Sequence, residues 1–141
     1  MNVIKLLKPK CSVAFLTIDN SVRQGLEKMK YHGYSAIPVI DSEGKYVSTV
    51  TEGDFLWRIF SDDVKNAKEL ERIPLSEIVR MGWNTPISIS ATIEDLMTRI
   101  TEQNFVPVVD DRGAFIGIIT RKDVIKESLK KTDDVDSTIN Q

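Results

Sequence analysis

The residues of this chain that could do chemistry are gathered in two short runs, Thr51-Glu-Gly-Asp54 and Thr120-Arg-Lys-Asp123. Each places a hydroxyl three residues before a carboxylate, directly after a β-rich run, which puts both groups at the start of a helix. A helix start presents unpaired N–H groups and the positive end of the helix dipole, so it suits an anion. Arg121 and Lys122 strengthen that reading in the second run. Arg121 offers a charge-assisted, bidentate contact to phosphate, and a cation placed against the dipole favours an anion nearby. In the first run Glu52 stands where the second has Arg121. The same Thr-x-x-Asp pattern also reads as a capping box, in which Thr caps the helix and the acid reaches back. The two roles coexist, because a cap leaves other N–H groups free.

What surrounds these runs excludes other chemistry. One cysteine, Cys11, allows no intrachain disulfide, and with one histidine, His32, it leaves no His/Cys cluster for zinc. Cys11 reads as a small buried hydrophobe. No His or Cys partners a serine, and no Gly-rich phosphate loop is present. The acidic pairs Asp62-Asp63, Asp110-Asp111 and Asp133-Asp134 fall in a linker, a turn and a tail. The chain is therefore expected not to be an enzyme and to need no cofactor or metal. Its 141 residues, 41% hydrophobic and 28% charged, suit a folded globular protein. A net charge of −2 argues against nucleic acid as a partner. No apolar run approaches the roughly 18 residues of a membrane span, and the basic Met1–Lys10 is too short for a signal peptide. A cytoplasmic protein without membrane contact is expected.

The elements that must position these groups occur twice. Val13–Ser21 reads like Thr85–Thr92, and Val22, Leu26 and Met29 recur 71 positions later as Ile93, Met97 and Ile100, the spacing of one buried helix face. The offset then falls to 69, where Ala36-Ile-Pro-Val-Ile-Asp41 lies on Phe105-Val-Pro-Val-Val-Asp110 and Gly44–Asp54 on Gly113–Asp123. A two-residue deletion near the end of the second helix explains the slip. Val3–Leu7 likewise resembles Leu75–Val79. Each half reads as a lead-in helix, a strand, a helix, a strand, a turn, a strand and a closing helix, an α/β fold. The turns Asp41–Gly44 and Asp110–Gly113 carry glycine where a reversal needs positive φ. The runs Ile37–Ile40 and Ile116–Ile119 look buried on both faces. The organisation is a first repeat at 1–60, a charged linker at 61–73, a second repeat at 74–130 and a polar tail at 131–141.

This pattern resembles paired CBS domains, the Bateman module. The resemblance rests on Gly33-Tyr-Ser-Ala-Ile-Pro-Val-Ile-Asp41, Val50-Thr-Glu-Gly-Asp54, Phe105-Val-Pro-Val-Val-Asp110 and Gly117-Ile-Ile-Thr-Arg-Lys-Asp123, across about residues 1–130. It implies a β-α-β-β-α core in each repeat, two sheets packed face to face with pseudo-twofold symmetry, homodimers, and clefts that bind adenine ligands. The lead-in Pro9-Lys-Cys-Ser-Val-Ala14, the Gly-Tyr-Ser-Ala-Ile-Pro strand and the basic Thr120-Arg-Lys122 are also similar to small stand-alone bacterial CBS proteins that bind cyclic di-AMP. The implied function is a non-catalytic sensor of an adenine nucleotide, AMP, ATP or cyclic di-AMP, acting on a protein partner the sequence does not identify. The alternative is a structural dimerisation module with vestigial clefts.

Family geometry builds each cleft from both repeats. Cleft A would take Val13, Ala14, Tyr34, Ser35, Ala36 and Pro38 from the first, and Thr120, Arg121, Lys122 and Asp123 from the second. Small Val13 and Ala36 would leave an apolar slot for adenine, Asp123 would accept from ribose hydroxyls, and Thr120 with the basic pair would meet phosphate. Tyr34 reads equally as cleft rim and as core. Cleft B would use Thr51, Asp54 and Phe105. There Phe105 would fill the purine slot, Glu52 would repel phosphate and Ser48, in place of Gly117, would crowd the ligand, so cleft B is expected to be weaker or empty. Phe55, Leu56, Trp57 and Phe60, with the helix Ser21–His32, exceed what a small core can bury and are expected to form a dimer face.

Overall fold

The computed structural model describes residues 2–139, with side chains through residue 130. The chain opens with the one-turn helix α1 (Val3–Leu6), strand β1 (Lys8–Pro9) and a 3₁₀ turn at Lys10–Ser12. The first repeat continues as β2 (Leu16–Thr17), α2 (Val22–His32), β3 (Ala36–Ile40), β4 (Tyr46–Thr51) and α3 (Glu52–Ile59). After 3₁₀ turns at Ala67–Glu71 and Leu75–Glu77 come β5 (Ile87–Ser88), α4 (Ile93–Ile100), β6 (Phe105–Val109), β7 (Phe115–Thr120) and α5 (Arg121–Ile139).

The repeat is visible in the pairing. β2 runs parallel to β3 and β3 antiparallel to β4, while β5, β6 and β7 repeat the arrangement. Ser21 and Thr92 close reciprocal capping boxes on α2 and α4. The deletion read in the sequence appears as helices of 11 and 8 residues, the longer ending on Gly33 at φ 69°. Both hairpins turn on a glycine at φ 84°, Gly44 and Gly113, with Asp41 and Asp110 each accepting two backbone N–H groups inside the turn. The two turns also pair with each other through Tyr46 N–H to Gly113 O and Phe115 N–H to Gly44 O. Behind them Val13, Ile40 and Phe115 form a shared cluster with Phe15, Tyr46 and Ile118 that joins the repeats.

Three sequence expectations are revised. Of the strand expected at the start of Val13–Ser21 only Leu16 and Thr17 pair, because Lys10–Ser12 is already coiled into a 3₁₀ turn. Ile37–Ile40 is buried throughout, but Ile116–Ile119 alternates, since β7 packs one face on the core and turns Ile118 towards a cleft. The α5 helix continues through Ile139, into the segment expected to be a polar tail.

The lead-ins cross over. Val3 and Leu6 bury against Leu96, Val106 and Ile119 of the second repeat, while Leu75 and Ile78 bury in the first repeat with Leu16, Val39 and Phe55. In consequence β1 adds to the sheet of the second repeat, giving the order β1-β7-β6-β5 beside the three-stranded β2-β3-β4. The crossing is tightest at Pro9 opposite Gly117, where a Cβ on the glycine would collide with the Lys8 carbonyl oxygen and press on Leu7 Cδ1. In the first repeat Ser48 occupies the equivalent place, and its hydroxyl donates to the Arg80 carbonyl at 2.6 Å. Gly117→Ala should therefore lower the unfolding free energy by about 1–3 kcal/mol, the usual cost of local backbone strain. Gly53→Ala, whose new Cβ meets only ordinary contact, should leave stability unchanged or raise it by up to about 1 kcal/mol. Urea midpoints of the two variants check the contrast.

Candidate functional site

Two pseudo-symmetric clefts flank the junction of the repeats. Cleft A, about 350 Å³, is lined by Val13, Tyr34, Ser35, Ala36, Pro38 and Thr120 from the expected set, joined by Lys8, Ser12, Gly33, Asn104, Phe105 and Ile118. Cleft B, about 240 Å³, lies between Thr51, Trp83, Asn84, Glu102 and Gln103 and shares Ser35, Ala36, Asn104 and Phe105 with cleft A. Ala36 and Phe105 thus stand at the wall common to both, so Phe105 does not belong to cleft B alone.

Several expected residues lie elsewhere. Ala14 is buried in the core of the first repeat. The Arg121 guanidinium donates to the Ile100 carbonyl at 2.9 Å, to Asn104 Oδ1 at 3.0 Å and to the Thr101 carbonyl, so it caps the end of α4 rather than lining the cleft. The physical reason is that the first residue of a helix points at the chain segment leading into the strand, where α4 leaves carbonyls without helical partners. Glu52 follows the same geometry in the first repeat and borders a groove with Leu26, Met29 and Ile59, outside cleft B. Ser48 is fully buried and spent on the Arg80 carbonyl, so it crowds no ligand. Lys122 is exposed at the start of α5. Cys11 is exposed rather than buried.

The two Thr-x-x-Asp runs differ in what their carboxylates do. Asp54 completes a capping box, accepting from the Thr51 N–H at 2.9 Å and from its hydroxyl at 3.1 Å. It also accepts the Arg80 fork at 2.8 and 3.3 Å, and its side chain is 11% exposed. Arg80 in turn lies over the Trp83 ring, 4.2 Å from the centroid. At the other helix start Thr120 Oγ1 accepts the Asp123 N–H at 3.1 Å, but the reciprocal bond is not made. Among the described residues the Asp123 carboxylate meets only Lys8 Nζ, at 3.6 Å, and it is 29% exposed. Lys8 and Arg80 are equivalents, each delivered by the lead-in of the opposite repeat. Extending the match of Val3–Leu7 with Leu75–Val79 by one residue would have found both.

The floors differ as well. Cleft A rests on Val13, Pro38 and Ile118, an apolar surface. Under cleft B the corresponding positions carry a closed hydrogen-bond chain. Gln103 Nε2 donates to Asn84 Oδ1 at 2.7 Å, Asn84 Nδ2 to Thr49 Oγ1 at 3.0 Å, and the Tyr46 hydroxyl to the Asn84 carbonyl at 2.7 Å. Burial pushes the Tyr46 phenol up to about 12, partly offset by its bonds to Thr49 and Asn84. Asn84 sits at φ 52°, a conformation asparagine tolerates. Cleft A can thus accept a flat apolar ring above and a hydroxyl or anion at its Lys8 and Thr120 end, behind which Asp123 stands outside the lining. The polar groups of cleft B are satisfied from within. Among the described residues no cluster of His, Cys, Asp or Glu could hold a metal ion.

Comparison with known proteins agrees with this architecture. The CBS domain family model matches residues 6–61 and 73–130. A crystal structure of CbpB in complex with cyclic di-AMP superposes with a TM-score of 0.88 and 28% identity, covering 98% of this chain and 91% of that one. Cyclic di-AMP receptor B of Bacillus subtilis is 27% identical over 123 residues, 84% of this chain and 80% of its own length. A CBS domain-containing protein of Dictyostelium discoideum is 25% identical over 136 residues, covering 91% of this chain and 92% of its own. Five further curated relatives are longer proteins, of which the chain spans 13–42%. With two matched copies over most of its length, each folded as a β-α-β-β-α unit, the chain belongs to the CBS domain family.

Proposed function

We propose that the chain is a non-catalytic regulatory module that binds one adenine nucleotide in cleft A. The observation that carries this reading is the state of the two equivalent aspartates. Asp54 is fully engaged by cap and guanidinium, whereas Asp123 lies just beyond the cleft lining, joined to the lining residues Lys8 by one long ion pair and Thr120 by its N–H. A carboxylate so placed accepts from the two hydroxyls of a ribose. Lys8, half exposed at the cleft mouth, is the cation for phosphate, the part assigned to Arg121 and Lys122 from the sequence. Val13, Ala36 and Pro38 hold the ring, with Tyr34 at the rim, and Ser35 offers a hydroxyl.

Similarity to proteins named for cyclic di-AMP supports counting that ligand with AMP and ATP among the candidates. Regulation requires the ligand to bind two states of the protein unequally. The lead-in that carries Lys8 is the element a bound phosphate would pull upon. No helix among the described residues is long and apolar enough to cross a membrane, and we place this activity in the cytoplasm.

The module acts as a homodimer in this reading. Leu56, Trp57 and Phe60 are 52, 78 and 73% exposed beside the groove lined by Leu26, Met29 and Ile59. Phe55, expected on this face, is instead buried in the core at 1% exposure. An apolar surface of this kind on a soluble protein is a site of association. Sedimentation at micromolar concentration should give a dimer, and Trp57→Glu should give a monomer with an unchanged circular dichroism spectrum. A wild-type monomer contradicts the dimer.

Calorimetry tests the ligand site. Asp123→Ala should weaken AMP binding by about 1.5–3 kcal/mol, the worth of a charged hydrogen bond, with little change in urea midpoint. Asp54→Ala should leave affinity nearly unchanged and cost about 1–2 kcal/mol of stability through the lost cap. AMP, ATP and cyclic di-AMP should each bind more tightly than adenosine. A wild-type chain that binds none of these ligands would support the dimerisation module with vestigial clefts instead.

A further inference from the structure

We propose that Arg80 is the specificity determinant that holds cleft B shut, standing in for a nucleoside on Asp54, and that its replacement opens this cleft to an uncharged adenine nucleoside. The proposal rests on the reading of cleft A as a nucleotide site. It assigns the difference between the clefts to a residue other than Phe105 or Glu52.

The geometry of the lead-in supports it. Arg80 presents two guanidinium nitrogens to the two oxygens of Asp54, at 2.8 and 3.3 Å. A pair of ribose hydroxyls would make the same kind of twofold donation to that carboxylate. The fork is held on three sides. Trp83 lies under the guanidinium at 4.2 Å, Ser48 Oγ fixes the Arg80 carbonyl at 2.6 Å, and the capping box fixes the carboxylate. Such a planar fork matches a carboxylate bidentately, whereas the ammonium of Lys8 is a point charge that approaches Asp123 only to 3.6 Å. Lys8 thus borders cleft A on a loose ion pair, whereas Arg80 is held firmly at the edge of cleft B, between the lining residue Trp83 and the Asp54 that caps with the lining residue Thr51.

What remains in cleft B without Arg80 sets the ligand class. Ser35, Ala36, Asn104 and Phe105 are walls common to both clefts, so cleft B shares a side wall of the ring slot of cleft A, although not its apolar floor. The Asn84–Gln103–Thr49–Tyr46 chain does not involve Arg80 and stays satisfied. Asp54, bonded to the lining residue Thr51, would lose its counter-charge, and the exposed Glu102 borders cleft B. Two carboxylates disfavour a phosphate, so adenosine should enter in preference to AMP, the reverse of the order in cleft A.

Calorimetric titration of wild type, Arg80→Ala and Arg80→Lys with adenosine and with AMP tests this. Arg80 is about half exposed, and circular dichroism confirms that each variant is folded. Wild type should bind one equivalent of either ligand per chain. Arg80→Ala should bind a second equivalent of adenosine but not of AMP, and Arg80→Lys should bind it more weakly than Arg80→Ala. Adding Asp54→Asn to Arg80→Ala should remove the second equivalent and leave the first. A folded Arg80→Ala that keeps the wild-type stoichiometry for both ligands overturns the proposal while leaving cleft A intact. Wild type that binds nothing, beside an Arg80→Ala that gains one adenosine, would uphold Arg80 and overturn cleft A. No binding by any form overturns both.

Discussion

Each lead-in segment lies against the last strand of the other repeat, and the place where it does so most closely, Pro9 against Gly117, tolerates no side chain. Much of the remaining architecture follows from that contact. It carries α1 onto the core of the second repeat, and the reciprocal crossing carries Leu75 and Ile78 into the first. Neither repeat has its full core alone, so the pair folds around shared burial, as small repeat units generally must. The same crossing brings a cation from one repeat to the helix-start carboxylate of the other. Both clefts are thereby built at the junction of the repeats, where a change in their packing would be felt.

From this common plan the two sides have diverged at few positions. Gly117 lets β1 pair with β7, whereas Ser48 anchors the opposite lead-in through its hydroxyl instead of a ladder. Val13 and Ile118 give cleft A an apolar floor, and Asn84 with Thr49 gives cleft B a polar one. A buried polar group must find a partner, and a chain that satisfies such groups internally leaves them nothing to offer a ligand. On the other side Asp123 is engaged by the long ion pair with Lys8 alone among the described residues.

The repeat, the two hairpins with Gly44 and Gly113, the capped helices and the pairing of Pro38 and Pro107 strands were legible because local rules determine them. Turn glycines, capping residues and periodicity act over a few residues and leave their mark in one stretch of chain. Cleft-lining positions were legible where they sit on or next to those strands, as with Ser35, Ala36 and Thr120. Arg121 was read towards the cleft because its type suits phosphate, but the direction of a side chain at a helix start depends on where the preceding helix ends. Glu52 was misread for the same reason, and Ser48 because the carbonyl its hydroxyl meets, that of Arg80, comes from the distant second lead-in. Lys8 escaped notice although its neighbours were aligned, since its partner, Asp123, comes from the other end of the chain. Long-range pairings of this kind are fixed by the crossing of the lead-ins, which no short window of sequence contains.

The central claim is that one cleft, and a defined one, takes the adenine nucleotide. Amide chemical shifts followed by NMR during titration with AMP test it most directly. The account predicts saturable shifts at Lys8, Ser35, Ala36, Thr120 and Asp123, with Thr51, Asp54, Trp83 and Gln103 shifting far less. Shifts centred on Thr51, Asp54 and Gln103, or none at all at millimolar AMP, would contradict it.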